Sequence, residues 1–337
     1  MHPSEIRSEE VSFIASGRTI PGTLVRPPSS AGPGPGLLLL AGSGPTDRDW
    51  NSPLLPGKNG SARLLAESLA ARGVTVLRFD KAFSGQNAGL PIADLTLDTY
   101  RDEASAALAL LRANQAVDAA HVFVAGHSEG GIHAIRLAAL HGDWIRGVIL
   151  IAAPGRSLRE VLEVQLAHNV LGRLELSPEQ IETEMTPIRT ALRSFVAGTD
   201  VDPKSVSARP EIVGIMSALM ASQVARIGRA LVSFDPAHAV TEIAAPVLVL
   251  QGAKDVQVSP IGDAEQLVAS RNDAHEPVEY YVSPLADHVL KTELRTIEEV
   301  RANPQLLHAG YNAPDRTLAD DLVEVMARWI RDKSHVE

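Results

Sequence analysis

Short, predominantly apolar runs punctuate the chain at residues 37–40, 74–79, 121–125, 147–151, 246–250 and 278–282. Runs of this length and character predict strands buried on both faces, as in a parallel sheet. Between them lie amphipathic segments of helical length at 62–72, 99–114, 130–141 and 261–270, and residues 317–331 read as a closing helix. Strand alternating with helix predicts an α/β fold, a mostly parallel sheet with helices on both faces. At the start, residues 11–15 and 19–26 flank Ser16-Gly17-Arg18 and read as a hairpin. The Pro-, Gly- and Ser-rich residues 27–36 read as a surface connection.

One stretch breaks the alternation. From 156 to 240 only helical periodicity is found, at 158–171, 178–196 and 211–231. In the last of these Ile212, Ile215, Met216, Leu219, Met220 and Val224 recur near the helical repeat. The expected organisation is a core from 1–155 and 241–337, with 156–240 inserted between two sheet strands as a helical cap. That block is also the candidate surface for a homodimer. Residues 290–314 form a second, shorter insertion that the pattern does not place.

Composition narrows the function classes. The 337 residues carry a net charge of −10 with acidic groups dispersed, so a basic nucleic-acid-binding face is not expected. There is no cysteine, which excludes disulfides, thiolate metal sites and a cysteine nucleophile. The longest apolar stretch, residues 36–41, is far short of the roughly 20 residues of a membrane span. The first ten residues are polar and show no secretory signal, so a cytoplasmic location is expected. No H-E-x-x-H metal motif, Walker A motif or dinucleotide fingerprint is present, and no cofactor is expected.

The chemistry sits where strand 121–125 meets the helix beginning at Gly131. The junction reads Gly126-His127-Ser128-Glu129-Gly130, a G-x-S-x-G pentapeptide. A chance match in a chain this long arises with a frequency on the order of one in ten, so the pentapeptide alone decides little. Its setting decides more, because strand, sharp turn and helix make up the nucleophile elbow. A serine hydroxyl needs a base, and among eleven histidines His288 follows the last predicted strand, at the sheet end where α/β folds bind ligands. Asp255, after strand 246–250, completes the order serine, acid, histidine. Asp287 adjoins His288 too closely to orient its ring easily. The oxyanion donors are expected from the Glu129 backbone N–H and from the small-residue loop after strand 37–40, at Ser43 or its neighbour Gly42.

With these residues in place the chain resembles the α/β-hydrolase superfamily, and within it bacterial serine esterases bearing a G-S-G-P-T-D-R-D loop, here Gly42 to Asp49. The Arg78-Phe-Asp-Lys81 segment and the elbow also fit, so the resemblance spans residues 11–289. It implies cofactor-free hydrolysis of small-molecule carboxylic esters, with Ser128, Asp255 and His288 as catalytic triad and Ser43 and Glu129 at the oxyanion hole. It also singles out Asp47, Arg48, Asp49, Asp80 and Lys81, for which an ion-paired scaffold under the site is expected. The chain departs from the pattern at Trp50, where relatives carry glycine, and around Phe83. A bulky indole is expected to narrow the substrate pocket, which Gly42, Trp50 and His127 would line. Thioesterase, amidase or peptidase, and acyltransferase chemistry use the same machinery, and a ligand-binding homologue without catalysis is the non-enzymatic alternative.

Overall fold

The computed structural model describes residues 6–28, 32–89, 95–302, 311–313 and 315–335. Eight strands form one sheet: β1 (Arg7–Ala15), β2 (Arg18–Arg26), β3 (Gly34–Leu40), β4 (Thr75–Phe79), β5 (Val117–His127), β6 (Gly147–Ile151), β7 (Val247–Gly252) and β8 (Val278–Ser283). Their order is β1-β2-β4-β3-β5-β6-β7-β8. The β1–β2 hairpin joins β4 antiparallel, and every pair from β4 through β3 to β8 is parallel. This is the α/β-hydrolase arrangement.

The apolar runs are two-sided, as expected, except that β8 at the sheet edge is only half-buried, with Glu279 exposed. On β3, Leu38 and Leu40 face one layer while Leu37 and Leu39 face the other, and β5, β6 and β7 alternate in the same way. Helices α2 (Leu97–Arg112), α3 (Glu129–Leu140) and α9 (Glu265–Asp273) cover the first face. Helix α1 (Ser61–Ala70) and the C-terminal helix Asp320–Ser334 cover the second through Leu65, Leu69, Met326 and Trp329. Each aliphatic side chain so buried contributes about 1.5–3 kcal/mol of transfer free energy.

Between β6 and β7 the described chain is helical: α4 (Leu158–Gln165), a π-helical turn (Leu166–Val170), α5 (Pro178–Val196), α6 (Pro210–Met220), α7 (Ala225–Ser233) and the single turn α8 (Pro236–Ala239). Leu166, Leu171, Met185, Ile188, Leu192, Ile212 and Met216 form a core belonging to this insertion alone. The expected single helix over 211–231 is two helices. Ala221 turns extended, at φ −53° and ψ 134°, and breaks the stripe after Met220. Ile212 and Met216 point into the insertion's core, whereas Ile215 is partly exposed. Residues 297–302 of the second insertion are helical, residues 303–310 and 314 lie outside the described set, and Tyr311 is buried. Among the described residues no helix is long and apolar enough to cross a membrane.

Candidate active site

Strand β5 runs directly into the turn that presents Ser128. The serine backbone sits at φ 53° and ψ −126°. That region costs a non-glycine residue about 1–3 kcal/mol and persists only where its surroundings enforce it. Here the Ser128 N–H donates to the Ile151 carbonyl at 2.9 Å, and the Ser128 carbonyl accepts from the Gly131 N–H at 2.8 Å. The turn closes so tightly that a Cβ on Gly126 would fall 2.1 Å from the Gly130 carbonyl oxygen. Helix α3 begins at the next residue, so the half-buried hydroxyl stands at the positive end of a helix dipole.

The loops after β7 and β8 bring Asp255 and His288 together. They are laced by hydrogen bonds from Ala253 N–H to the Ser283 carbonyl at 2.8 Å and from Lys254 N–H to the Ala286 carbonyl at 2.9 Å. His288 Nδ1 lies 2.8 Å from Asp255 Oδ2. The same oxygen accepts from Gln251 Nε2 at 2.9 Å, and Oδ1 accepts from the backbone N–H groups of Gln257 and Val258 at 2.8 and 3.0 Å. With its Nδ1–H given to the carboxylate, the imidazole keeps an unprotonated Nε2 as the basic lone pair. Burial opposes charge on His288, but the charge and hydrogen bond of Asp255, with Asp287 adding, hold its pKa above the ordinary imidazole value. Among the described residues Ser128 Oγ makes no hydrogen bond. Such contacts commonly tighten only when substrate binds.

Asp287 has a different task. Its Oδ1 accepts from the Val289 and Lys291 N–H groups at 3.0 and 2.9 Å, and its Oδ2 pairs with Arg316 at 2.7 Å. It shapes the loop and does not touch the His288 ring nitrogens.

Of the expected pocket walls, Trp50 and His127 are buried, at 3% and 5% exposure, as is His288 at 5%. Trp50 takes φ 65°, the left-handed region that favours glycine, and its indole stacks on the His127 ring with centroids 4.1 Å apart. The His127 ring in turn sits 4.8 Å from that of His288. Trp50 is thereby packed against the residue that precedes Ser128. Gly42 does lie at the site, since a Cβ there would come within 3.2 Å of both Ser128 Cβ and His127 Nδ1. Ser43 follows it, exposed, and among the described residues the backbone N–H groups of Ser43 and Glu129 are both without a partner.

The ion-paired scaffold is present except at Asp47 and Lys81. Arg48 pairs with Asp80 at 2.9 Å while its backbone N–H donates to Asp80 Oδ1 at 2.8 Å, and Arg78 pairs with Asp49 at 3.1 Å. Asp47 accepts from the Asp49 and Asn51 N–H groups, each at 2.8 Å. Lys81 forms no ion pair among the described residues, and its ammonium donates to the Gly42 carbonyl. Sequence reasoning also missed Gln257 and Tyr311, whose mutual hydrogen bond at 2.9 Å braces the acid loop, and no local motif marks either. A cavity of about 420 Å³ is lined by Asp255, Val256 and Gln257, and a larger one of about 940 Å³ lies against the helical insertion; Ser128 lines neither. Among the described residues no cluster of three or more metal-ligating side chains occurs.

Known proteins resemble the chain along most of its length. Esterase EstD of Thermotoga maritima is 27% identical over 286 residues, 81% of this chain and 63% of EstD, so the chain spans less than two thirds of that relative's length. The proline iminopeptidase structure from Mycobacterium smegmatis superposes with a TM-score of 0.57 at 15% identity, covering 96% of this chain and 98% of that one. A fungal esterase structure from Rhizomucor miehei gives 0.54 at 16% identity, covering 98% and 85%. Identities this low speak for the fold alone. The family model described as serine aminopeptidase, S33 (Hydrolase_4) matches residues 58–293, beginning after the Gly42 to Asp49 loop and including Ser128, Asp255 and His288. The chain belongs to this S33 family of α/β-hydrolases.

Proposed function

We propose that the protein is a carboxylic ester hydrolase working through an acyl-enzyme on Ser128. The observation that carries this reading is the 2.8 Å bond between Asp255 and His288 Nδ1, beside a serine held at a strained elbow. The esterase name of its relative EstD supports it. In the first half-reaction Ser128 Oγ attacks the ester carbonyl as His288 Nε2 takes its proton, and the Glu129 and Ser43 N–H groups receive the oxyanion. His288 then returns the proton to the departing alcohol. In the second half a water attacks the acyl-serine by the same route, which releases the acid and regenerates the hydroxyl.

The helical insertion, residues 156–240, is read as the cap that selects substrate. It docks on the acid loop through Gln165 Nε2 to the Gln257 carbonyl at 3.0 Å and Asn169 Nδ2 to the Val256 carbonyl at 3.1 Å. The 940 Å³ cavity beside it has Leu162, Leu166, Val170 and Ile215 on its walls together with Arg173, Glu184, Arg209 and Glu211, a mixed lining with room for an apolar chain and a polar end. The action is assigned to the cytoplasm. The family description favours one second reading, hydrolysis of aminoacyl amides with the same residues.

The test is a panel of a short-chain p-nitrophenyl ester, the matching thioester and an aminoacyl anilide, run on wild type and Ser128→Ala. Ester turnover that disappears in the variant supports the proposal. Ester turnover retained in Ser128→Ala overturns it, and turnover of the anilide alone would move the assignment to peptidase.

A further inference from the structure

Lys81 follows β4 and is 5% exposed, yet among the described residues it has no carboxylate within ion-pairing distance. Its ammonium instead donates to the carbonyl of Gly42 and lies 5.1 Å from the centre of the Tyr100 ring. Burial lowers its pKa, and the charges of Glu129 and Glu103 counter that trend. Glu129 is itself buried and receives His133 Nε2 at 3.4 Å. Retaining a desolvated ammonium on a single carbonyl is costly, and a structural role alone would be met by an apolar side chain of the same length.

The acceptor explains the expense. The Gly42 carbonyl and the Ser43 N–H belong to one peptide unit, and no cis bond occurs among the described residues. In a trans peptide the two groups point in opposite directions. An ammonium holding the carbonyl from beneath therefore fixes the direction of the N–H above. The same ammonium acts electrostatically on Glu129, the residue that carries the other unpartnered donor at the start of α3.

We infer that Lys81 is a positioning residue for transition-state stabilisation: by holding the Gly42 carbonyl, it aims the Ser43 N–H at the oxyanion and couples that loop to the α3 terminus beside Ser128. This rests on the esterase reading above. Loss of the clamp leaves substrate binding intact and weakens only what forms on the reaction path. Removing an oxyanion donor outright lowers kcat by on the order of 10²–10³, so a misaimed donor is expected to lower it roughly 10- to 100-fold.

The experiment compares wild type, Lys81→Met and Lys81→Gln on a p-nitrophenyl ester. It adds inhibition by a trifluoromethyl ketone, which forms a tetrahedral adduct on serine, and by the product alcohol, which does not. Lys81→Met is expected to lose kcat by the stated factor with KM within about twofold, and to weaken the ketone in parallel but not the alcohol. Lys81→Gln, which keeps an N–H donor, should recover part of the loss, and it carries the same readouts if the methionine variant does not fold. A kcat and ketone affinity equal to wild type, or equal weakening of ketone and alcohol, overturns the inference. Fluorophosphonate labelling separates the two layers. If Ser128 of wild type is labelled while the Lys81 variants behave as wild type, only the clamp fails. If Ser128 is not labelled at all, both readings fall.

Discussion

His127 Nε2 lies 2.7 Å from the backbone carbonyl oxygen of His288, so the residue before Ser128 holds the main chain of the proposed base. A carbonyl only accepts, so the proton is on Nε2 and Nδ1 is bare. Burial, with the neighbouring His288 adding, pushes the His127 pKa down to about 3, and the ring stays neutral across the working range. Substitution His127→Phe keeps a ring between Trp50 and His288 but deletes the donor. The expected result is a kcat lower by about tenfold with little change in KM, the equivalent of one buried hydrogen bond of roughly 1–1.5 kcal/mol. Steady-state kinetics on the p-nitrophenyl ester checks this, and a kcat matching wild type would show that the bond is incidental.

The pH profile tests the Asp255–His288 pair. A general base works only when neutral, so activity is lost as pH falls through its pKa. Because that pKa is raised, the acid limb of kcat/KM should have its midpoint above about 6.5, the ordinary imidazole value. In Asp255→Asn the raising charge is gone and burial is left to dominate. The limb should then move below 6.5 while kcat falls by on the order of 10³–10⁴, since the amide no longer fixes the reactive tautomer. An acid limb that stays put in the variant would mean that another group titrates.

The elbow makes a stability prediction. A methyl group on Gly126 would meet the Gly130 carbonyl oxygen at 2.1 Å and Gly131 N at 2.6 Å, both backbone atoms with no side-chain freedom to yield. Gly126→Ala should destabilise the fold by about 3 kcal/mol or more, beyond the usual range for a point change, and remove activity. Denaturant midpoints measure the first effect. A variant with wild-type stability would mean that β5 and α3 separate more easily than their close contact indicates.

The parts legible in the sequence are those with a local signature. Two-sided apolar strands show as continuous runs, and the elbow shows as two glycines around a serine at a strand–helix junction. Asp255 and His288 could be chosen because the fold fixes their order and the sheet end at which they appear. What was illegible depends on contacts distant in the chain. The glycine of the resembling family hints at left-handed backbone where Trp50 stands, but nothing near it announces that its indole will stack on His127. Lys81 reads as one more charge in an ionic cluster until the Gly42 carbonyl, 39 positions away, is placed against it. The helical repeat through 211–231 is real in sequence, but the chain leaves the helix where Ala221 turns extended, and α7 begins afresh at Ala225.

Arg271 is the most demanding of these hidden residues. It sits on α9 with no accessible surface, and its guanidinium donates to four backbone carbonyls, those of Val240, Ile243, Ala245 and Pro277. Three of these belong to the strip where the helical insertion returns to the sheet, and the fourth leads into β8. The planar fork of arginine can reach several acceptors at once, whereas a lysine ammonium is a point with three donors. Arg271→Met would strand those carbonyls without partners, and a loss of about 3–5 kcal/mol is expected from comparable buried charged networks. Arg271→Lys should fall between methionine and wild type. Arg271 holds the chain before β7 and β8, whereas Asp255 and His288 follow the far ends of those strands, so kcat of the folded fraction at low temperature should stay within about twofold of wild type in both. Urea unfolding of the three proteins gives the order. A lysine variant no more stable than the methionine one would show that the fork geometry, and not the charge, holds the junction closed; equal stability of all three would show that the junction does not depend on Arg271.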